Sequence, residues 1–291
     1  MTYSQVLGEF LSDQMVDDPR IMVLTPAMLV GSGLVETKKK FPNRVFDLGI
    51  TEPSVVSVAG GMATQGIIPV VCIYSTFLQR AFDQVIEDVC LQDLPVVFAV
   101  DRGGIVGPDG VTHQGSFDLS YLSLIPNLVV SAPKDENELR DLLLTGIDYG
   151  HPFAVRYPRA NVVGLSYREP KILEVGKGEI LKSGKNTALL AIGSMVYPAI
   201  DASVRIGDTM VANMRFVKPI DEEIVNEASK CKHIVTVEDN TVIGGLGDAV
   251  SRVSQLPVKR IGIPDRFIEH GNRETLSGIL GLDIDGIVRK V

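Results

Sequence analysis

Four short stretches of this 291-residue chain hold side chains that could do chemistry. In DLGITEPSVVSVAGGMATQG (47–66), Glu52 stands where a strand-like run gives way to a Gly/Ala-rich helix, with Pro53 suited to the first helical position. By itself such a carboxylate is a favourable helix N-terminal charge, worth under ~1 kcal/mol. In YSTFLQRAFDQ (74–84), Tyr74 ends a strand, and Phe77 and Arg80 lie three apart in the first turns of a helix. An aromatic face beside a guanidinium could hold a flat ring and an anion; it could equally be a core phenylalanine and a surface arginine. In DRGGIVGPDGVTHQGSFD (101–118), Arg102, Asp109 and His113 share one loop. Its segment GPDGVTHQG (107–115) has three glycines and a proline, so it cannot be the interior of a helix or strand. In RYPR (156–159), Arg156 and Arg159 close another strand, and paired arginines suit phosphate.

Each stretch taken singly also reads as a set of solvated side chains or an exposed salt bridge. Their joint placement after successive strands of one sheet says more, because loops at strand ends are where α/β proteins keep their chemistry. Together they outline a pocket with an acid, an aromatic platform, a histidine and several arginines. A phosphorylated small molecule fits that set.

The elements that must position these residues alternate along the chain. Strand-like runs fall at 21–25, 44–50, 68–74, 94–101, 127–133 and 153–158. Helical patterns lie between them; in 76–92 the apolar positions 77, 78, 81, 82, 85, 86 and 89 form one face. Residues 134–150 start acidic and end at glycine, the expected capping asymmetry. This alternation predicts an α/β fold of two domains, each a mostly parallel sheet flanked by helices. The first domain is expected over 1–165, a polar Gly/Lys-containing linker over 166–185, and the second domain over 186–291. Strands of the second are expected at 186–193, 209–216, 233–239 and 258–264.

Bulk composition narrows the partners. Net charge is −8, and no block of like charge is longer than KKK (38–40), which argues against nucleic acid or an anionic membrane. The first 18 residues carry acids and no apolar run, so no signal peptide is expected, and no apolar stretch is long enough to span a bilayer. Three cysteines without CxxC spacing point to free thiols in a reducing compartment, and a cytoplasmic location is expected.

The runs GITEPSVVSVAGGMATQG, IYSTFLQRAFDQVIEDVCLQDLPVVFAVDRGGIVGPDGVTHQGSFDLSYL and VRYPRANVVG, followed by FVKPIDEEI, VTVEDNTVIGGLGDAV and GIPDRFIEHG, closely resemble one family. It is the deoxyxylulose-phosphate synthase family of the thiamine-diphosphate-dependent transketolase superfamily. The resemblance covers nearly the whole chain but only the second half of the family pattern, its pyrimidine-binding and C-terminal domains. The GDG…N element that holds Mg²⁺ and the cofactor diphosphate has no counterpart here.

The resemblance implies roles residue by residue. Glu52 matches the glutamate that hydrogen-bonds the cofactor's aminopyrimidine, and Phe77 the aromatic that stacks on it, with Tyr74 beside them. Tyr74, Arg80, Arg102, Asp109, His113 and Arg159 match the acceptor site, where arginines bind glyceraldehyde 3-phosphate. Glu52, Asp109 and His113 are the expected catalytic set, and no metal ligand is expected in this chain. The implied reaction condenses pyruvate with glyceraldehyde 3-phosphate and releases CO₂. The metal and diphosphate site is supplied by a separate N-terminal subunit if the chain is one subunit of a split enzyme, or by the other half of the same protein if it is a section of a longer one. A homodimer or heterotetramer is implied, with the C-terminal domain serving assembly. Two alternatives are a split transketolase-type enzyme with another donor or acceptor, and a non-catalytic regulatory subunit. The sequence departs from the pattern at Pro53-Ser54, where the family has Gln-His, and at Leu29-Val30, where it has Arg-Glu.

Overall fold

A computed structural model describes residues 1–291, and the chain divides into two compact units. The first comprises Met1–Arg102, Ile125–Val129 and Asp135–Leu173; the second comprises Gly103–Leu124, Val130–Lys134 and Glu174–Val291.

The first unit is built on β1 (Ile21–Thr25), β2 (Val45–Asp47), β3 (Ile68–Tyr74), β4 (Val97–Asp101), the start of β5 (Val129–Ser131) and β6 (Phe153–Arg156). The strand order is β5-β6-β4-β3-β1-β2. The pairings β1 with β2, β1 with β3, β3 with β4 and β4 with β6 are all parallel. β4 is buried along its whole length and β3 up to Tyr74. That explains why their sequences are continuous apolar runs rather than alternating ones: helices cover both faces of a parallel sheet. The register sets Tyr74 beside Asp101, so the chemistry-bearing ends of β3 and β4 finish level.

Local signals place the flanking helices. Tyr3–Asp17 opens with a reciprocal capping box, in which Gln5 N donates to Thr2 Oγ1 and Thr2 N donates to Gln5 Oε1 (2.7 Å). Glu136–Tyr149 is capped by Asp135, which accepts from Glu138 N at 2.8 Å, and stops at the left-handed Gly150. The expected single helix over 76–92 is a helical run of changing pitch: α over Ser75–Leu78, 3₁₀ over Gln79–Ala81, α over Phe82–Gln84 and π over Val85–Cys90. Leu78, Ala81, Val85 and Val89 are still all buried, so the apolar face survives the irregular hydrogen bonding.

The second unit holds β7 (Glu179–Lys182), β8 (Thr187–Ala191), β9 (Thr209–Asn213), β10 (Phe216–Lys218), β11 (His233–Thr241) and β12 (Val258–Ile263). Its sheet runs β12-β11-β8-β9-β7, parallel except for β7, which pairs antiparallel with β9. β7 lies inside the stretch expected as linker. It is a half-exposed edge strand with the sequence EILK, so it lacks the apolar run that reveals the others. β10 pairs antiparallel with Val130 and Ser131. The core of this unit packs Leu189, Val196, Val235, Val237, Ile261 and Leu276 together with Ile105, which comes from the histidine loop.

Candidate functional site

In the first unit, the helix that follows β2 begins at Glu52 itself, with Pro53 second, one position earlier than the sequence suggests. The Glu52 side chain is only 4% exposed, and Arg80 Nη1 donates to its Oε1 at 2.5 Å. The Arg80 guanidinium lies 4.9 Å from the Phe77 ring centre, and the Phe77 and Tyr74 rings stack at 5.7 Å with an angle of 19°. The Arg102 guanidinium lies 3.7 Å from the Tyr74 ring centre. The result is a ladder, Arg80–Phe77–Tyr74–Arg102, of two rings between two cations, with a buried carboxylate at one end. Cation–π contact of this kind is worth about 0.5–2 kcal/mol per pair.

Arg102 is fixed from below. Its backbone N donates to Asp101 Oδ1 at 2.6 Å, and its Nη1 donates to Asp101 Oδ2 at 2.7 Å and to Gly31 O at 3.0 Å. Ser4 Oγ donates to the same Asp101 Oδ2 at 2.7 Å. Burial pushes the Asp101 carboxyl up to about 6, against the opposing pull of Arg102 and Ser4. Arg102 itself adopts φ +61°, a left-handed conformation uncommon outside glycine. Gly31 is required by close approach, because a Cβ there would stand 1.6 Å from Tyr74 Oη. Asp101 and Gly31 were not among the residues the sequence singled out, since nothing in an apolar strand end or a lone glycine marks a side chain's partner.

The two arginines of RYPR separate. Arg156 is buried in β6 while Arg159 is exposed beyond it, so they do not present a paired surface. All four residues of β6 are buried, as in a strand covered on both faces, so Arg156 is buried with its neighbours.

Asp109 and His113 belong to the second unit. His113 closes the 3₁₀ turn Val111–His113, with its Nδ1 3.0 Å from Thr112 Oγ1. The loop is held by Gln114, which is buried: its Oε1 accepts from Val106 N (2.9 Å) and Gly107 N (3.4 Å), and its Nε2 donates to Glu269 O (3.1 Å). Gly104 and Gly115 pair as an antiparallel bridge at the loop's base. A Cβ on Gly104 would lie 2.2 Å from Asp239 Oδ2, and that same oxygen accepts from Ser194 Oγ at 2.8 Å. Ser194 and Asp239 stand at the carboxyl ends of β8 and β11, where open α/β sheets ordinarily receive ligands. Here they receive the chain's own glycine. These contacts anchor the histidine loop within the second unit.

Chemically, the first unit offers the Phe77 ring, over which the half-exposed Arg80 guanidinium now lies, and a flat heterocycle stacking there would take that guanidinium's place. Beside it is a carboxylate whose Oε2 stays available as an acceptor, and this arrangement fits an aminopyrimidine. No group of three or more His, Cys, Asp or Glu side chains is arranged to hold a metal ion. The three cysteines are free and buried, and no helix is long and apolar enough to cross a membrane.

The transketolase pyrimidine-binding domain family matches residues 1–163, and the transketolase C-terminal domain family matches residues 176–287. The 1-deoxy-D-xylulose-5-phosphate synthase of Azoarcus sp. is 51% identical over 298 residues, covering 100% of this chain and 48% of that protein. That of Methylococcus capsulatus is 50% identical over 297 residues, covering 100% of this chain and 46% of that protein. The chain thus spans about half the length of the curated relatives it matches. Among solved structures, one titled "Split gene transketolase, inactive beta4 tetramer" superposes with TM-score 0.91 at 28% identity, covering 100% of this chain and 97% of that one. Transketolase from Campylobacter jejuni shares the fold, with TM-score 0.85 at 18% identity over 99% of this chain and 46% of that one. The chain belongs to the transketolase family, of which it carries the pyrimidine-binding and C-terminal domains.

Proposed function

We propose that this chain is the pyrimidine-binding and C-terminal section of a thiamine-diphosphate-dependent 1-deoxy-D-xylulose-5-phosphate synthase. It works with a separate N-terminal chain that holds Mg²⁺ and the cofactor diphosphate. The observation that carries the reading is the buried Glu52 carboxylate at a helix start, beside the Phe77 ring and the arginine ladder. Identity of about half over the whole chain to synthases twice its length supports it.

When bound, the cofactor supplies a nucleophilic carbon that its own aminopyrimidine helps to deprotonate. Glu52 does the chain's part of that work by presenting its carboxylate to the pyrimidine as a hydrogen-bond partner. Phe77, with Tyr74 behind it, carries the ring. Arg80, Arg102 and Arg159 bind the phosphate of glyceraldehyde 3-phosphate, and guanidinium donors suit that group better than ammonium. For Asp109 and His113, on the loop of the second unit, we carry over only the polar-contact role that the resemblance implies.

A second reading is favoured by one specific observation, the close superposition on a split-gene transketolase chain of nearly the same extent. On that reading the assembled enzyme transfers a different ketol unit, and Leu29-Val30 and Pro53-Ser54 are part of the altered specificity. The self-assembly named in that structure's title also suggests that this chain alone forms inactive homo-oligomers.

The test is CO₂ release from pyruvate plus glyceraldehyde 3-phosphate, with thiamine diphosphate and Mg²⁺. It is run on this chain alone and then mixed with a GDG-containing partner. Release only in the mixture, and its loss with Glu52→Ala, supports the synthase. A mixture that forms a complex without releasing CO₂, yet turns over a ketose donor, supports the second reading.

A further inference from the structure

The second unit contains a cavity of about 440 Å³ just past the carboxyl ends of β11 and β12, bounded by the helices Arg273–Leu280 and Ile284–Lys290. Four basic side chains line it, Arg260, Arg266, Arg289 and Lys290, and no carboxylate does. That is an unusual wall for a chain with 36 acidic and 28 basic residues.

Three carboxylates of the neighbouring elements have partners of their own. Asp248 pairs with Arg260 at 2.9 Å, Asp285 pairs with Arg205 at 2.5 Å, and Asp283 accepts from Gly286 N at 2.8 Å. Arg266 and Arg289 are exposed and make no ion pair, and Lys290 Nζ donates to the Leu280 carbonyl at 2.7 Å. Burial, with the neighbouring Arg289 and against the opposing pull of Asp283, draws the Lys290 ammonium below its ordinary range. Gly281 makes room for that ammonium: at φ +63°, a Cβ there would stand 2.9 Å from Nζ. The rim is apolar, with Val242, Pro264 and Ile279, the last 65% exposed.

We propose that this cavity is a second ligand site that binds a small organic phosphate, with Arg266, Arg289 and Lys290 on the phosphate and the Val242–Pro264–Ile279 rim on its apolar body. Its volume suits a small molecule, and guanidinium groups without acid partners suit a phosphate. The protein's net charge of −8 disfavours a nucleic acid in its place. The site lies wholly within the second unit and uses none of the residues assigned to the thiamine-diphosphate reaction.

The experiment titrates the full chain with phenyl phosphate and with inorganic phosphate, following the backbone amides of Gly278, Gly281 and Gly286 by NMR. Phenyl phosphate is expected to shift these amides saturably, with at least tenfold higher affinity than inorganic phosphate. Arg266→Gln combined with Arg289→Gln is expected to weaken both ligands tenfold or more, and Ile279→Ser to remove only the preference for the phenyl group. Arg80→Gln, in the first unit, is expected to change nothing at these amides. The proposal is overturned if the amides do not respond at millimolar ligand, if the double variant binds as well as wild type, or if the two phosphates bind alike.

Discussion

Arg102 lies with its guanidinium 3.7 Å from the centre of the Tyr74 ring, although Tyr74 ends β3 and Arg102 follows the end of β4. The buried carboxylate of Asp101 and the carbonyl of Gly31 hold it there. Tyr74 is then sandwiched between Arg102 and Phe77, and the position of the platform depends on residues that would never touch a ligand. Several outcomes can be stated for these supports.

Gly31→Ala places a methyl group where Tyr74 Oη now stands. The expected cost is about 1–3 kcal/mol of unfolding free energy, as for other overpacked sites. Tyr74→Phe removes the oxygen that the methyl meets first and should recover part of that loss. A denaturant double-mutant cycle measures the coupling, and strict additivity would show that the contact does not govern the site.

Gln114→Leu keeps the bulk but leaves Val106 N, Gly107 N and Glu269 O without their partner. Buried groups left unpaired cost about 1–3 kcal/mol each, less where the loop can relax toward water. Hydrogen exchange should speed up over 104–115 while the strands of the first unit keep their protection. Unchanged exchange in the loop would mean that Gly104 against Asp239 holds it alone.

Asp101 makes stability pH-dependent with an unusual sign. Its folded carboxyl titrates near 6 against an ordinary 3.8, so the folded state binds this proton more tightly than the unfolded state. Its contribution is therefore fully present below the ordinary value and is lost as pH rises through about 6. A shift of about two units corresponds to roughly 3 kcal/mol. Asp101→Asn cannot titrate, so wild type should lose stability relative to this variant between pH 4 and pH 7.5. Urea unfolding at both pH values reads the difference, and a constant gap would contradict the assignment.

Glu52→Gln keeps an acceptor beside Phe77 but removes the charge that pairs with Arg80. In the assembled enzyme, activity should fall by about 10²–10⁴-fold, the usual contribution of a positioned acid or base. Thermal denaturation should move little, because Arg80 is 56% exposed and solvent screens the pair. Full activity in this variant would remove Glu52 from the chemistry.

Much of the architecture was legible in the chain itself. The apolar runs of β3 and β4, buried nearly throughout, and the turn residues between elements encode a parallel sheet locally, because periodicity and turn chemistry act within a few residues. Phe77 and Arg80 are neighbours for the same reason, as they lie one helical turn apart. The half-exposed edge strand β7 was not legible, since EILK has no pattern that separates it from a loop. Nor were the long-range supports: Glu52 on Arg80, Arg102 on Tyr74 and Gly31, Gln114 on Glu269. Each joins groups far apart in sequence, and neither partner's residue type names the other. The sequence by itself determined the alternating elements of the two sheets and short-range neighbours such as Phe77 and Arg80. Only the tertiary structure decided that Arg156 is buried, that Asp101 sits under Arg102, and that the histidine loop packs as part of the C-terminal unit. Those outcomes depend on how buried polar groups find partners once the sheets have formed.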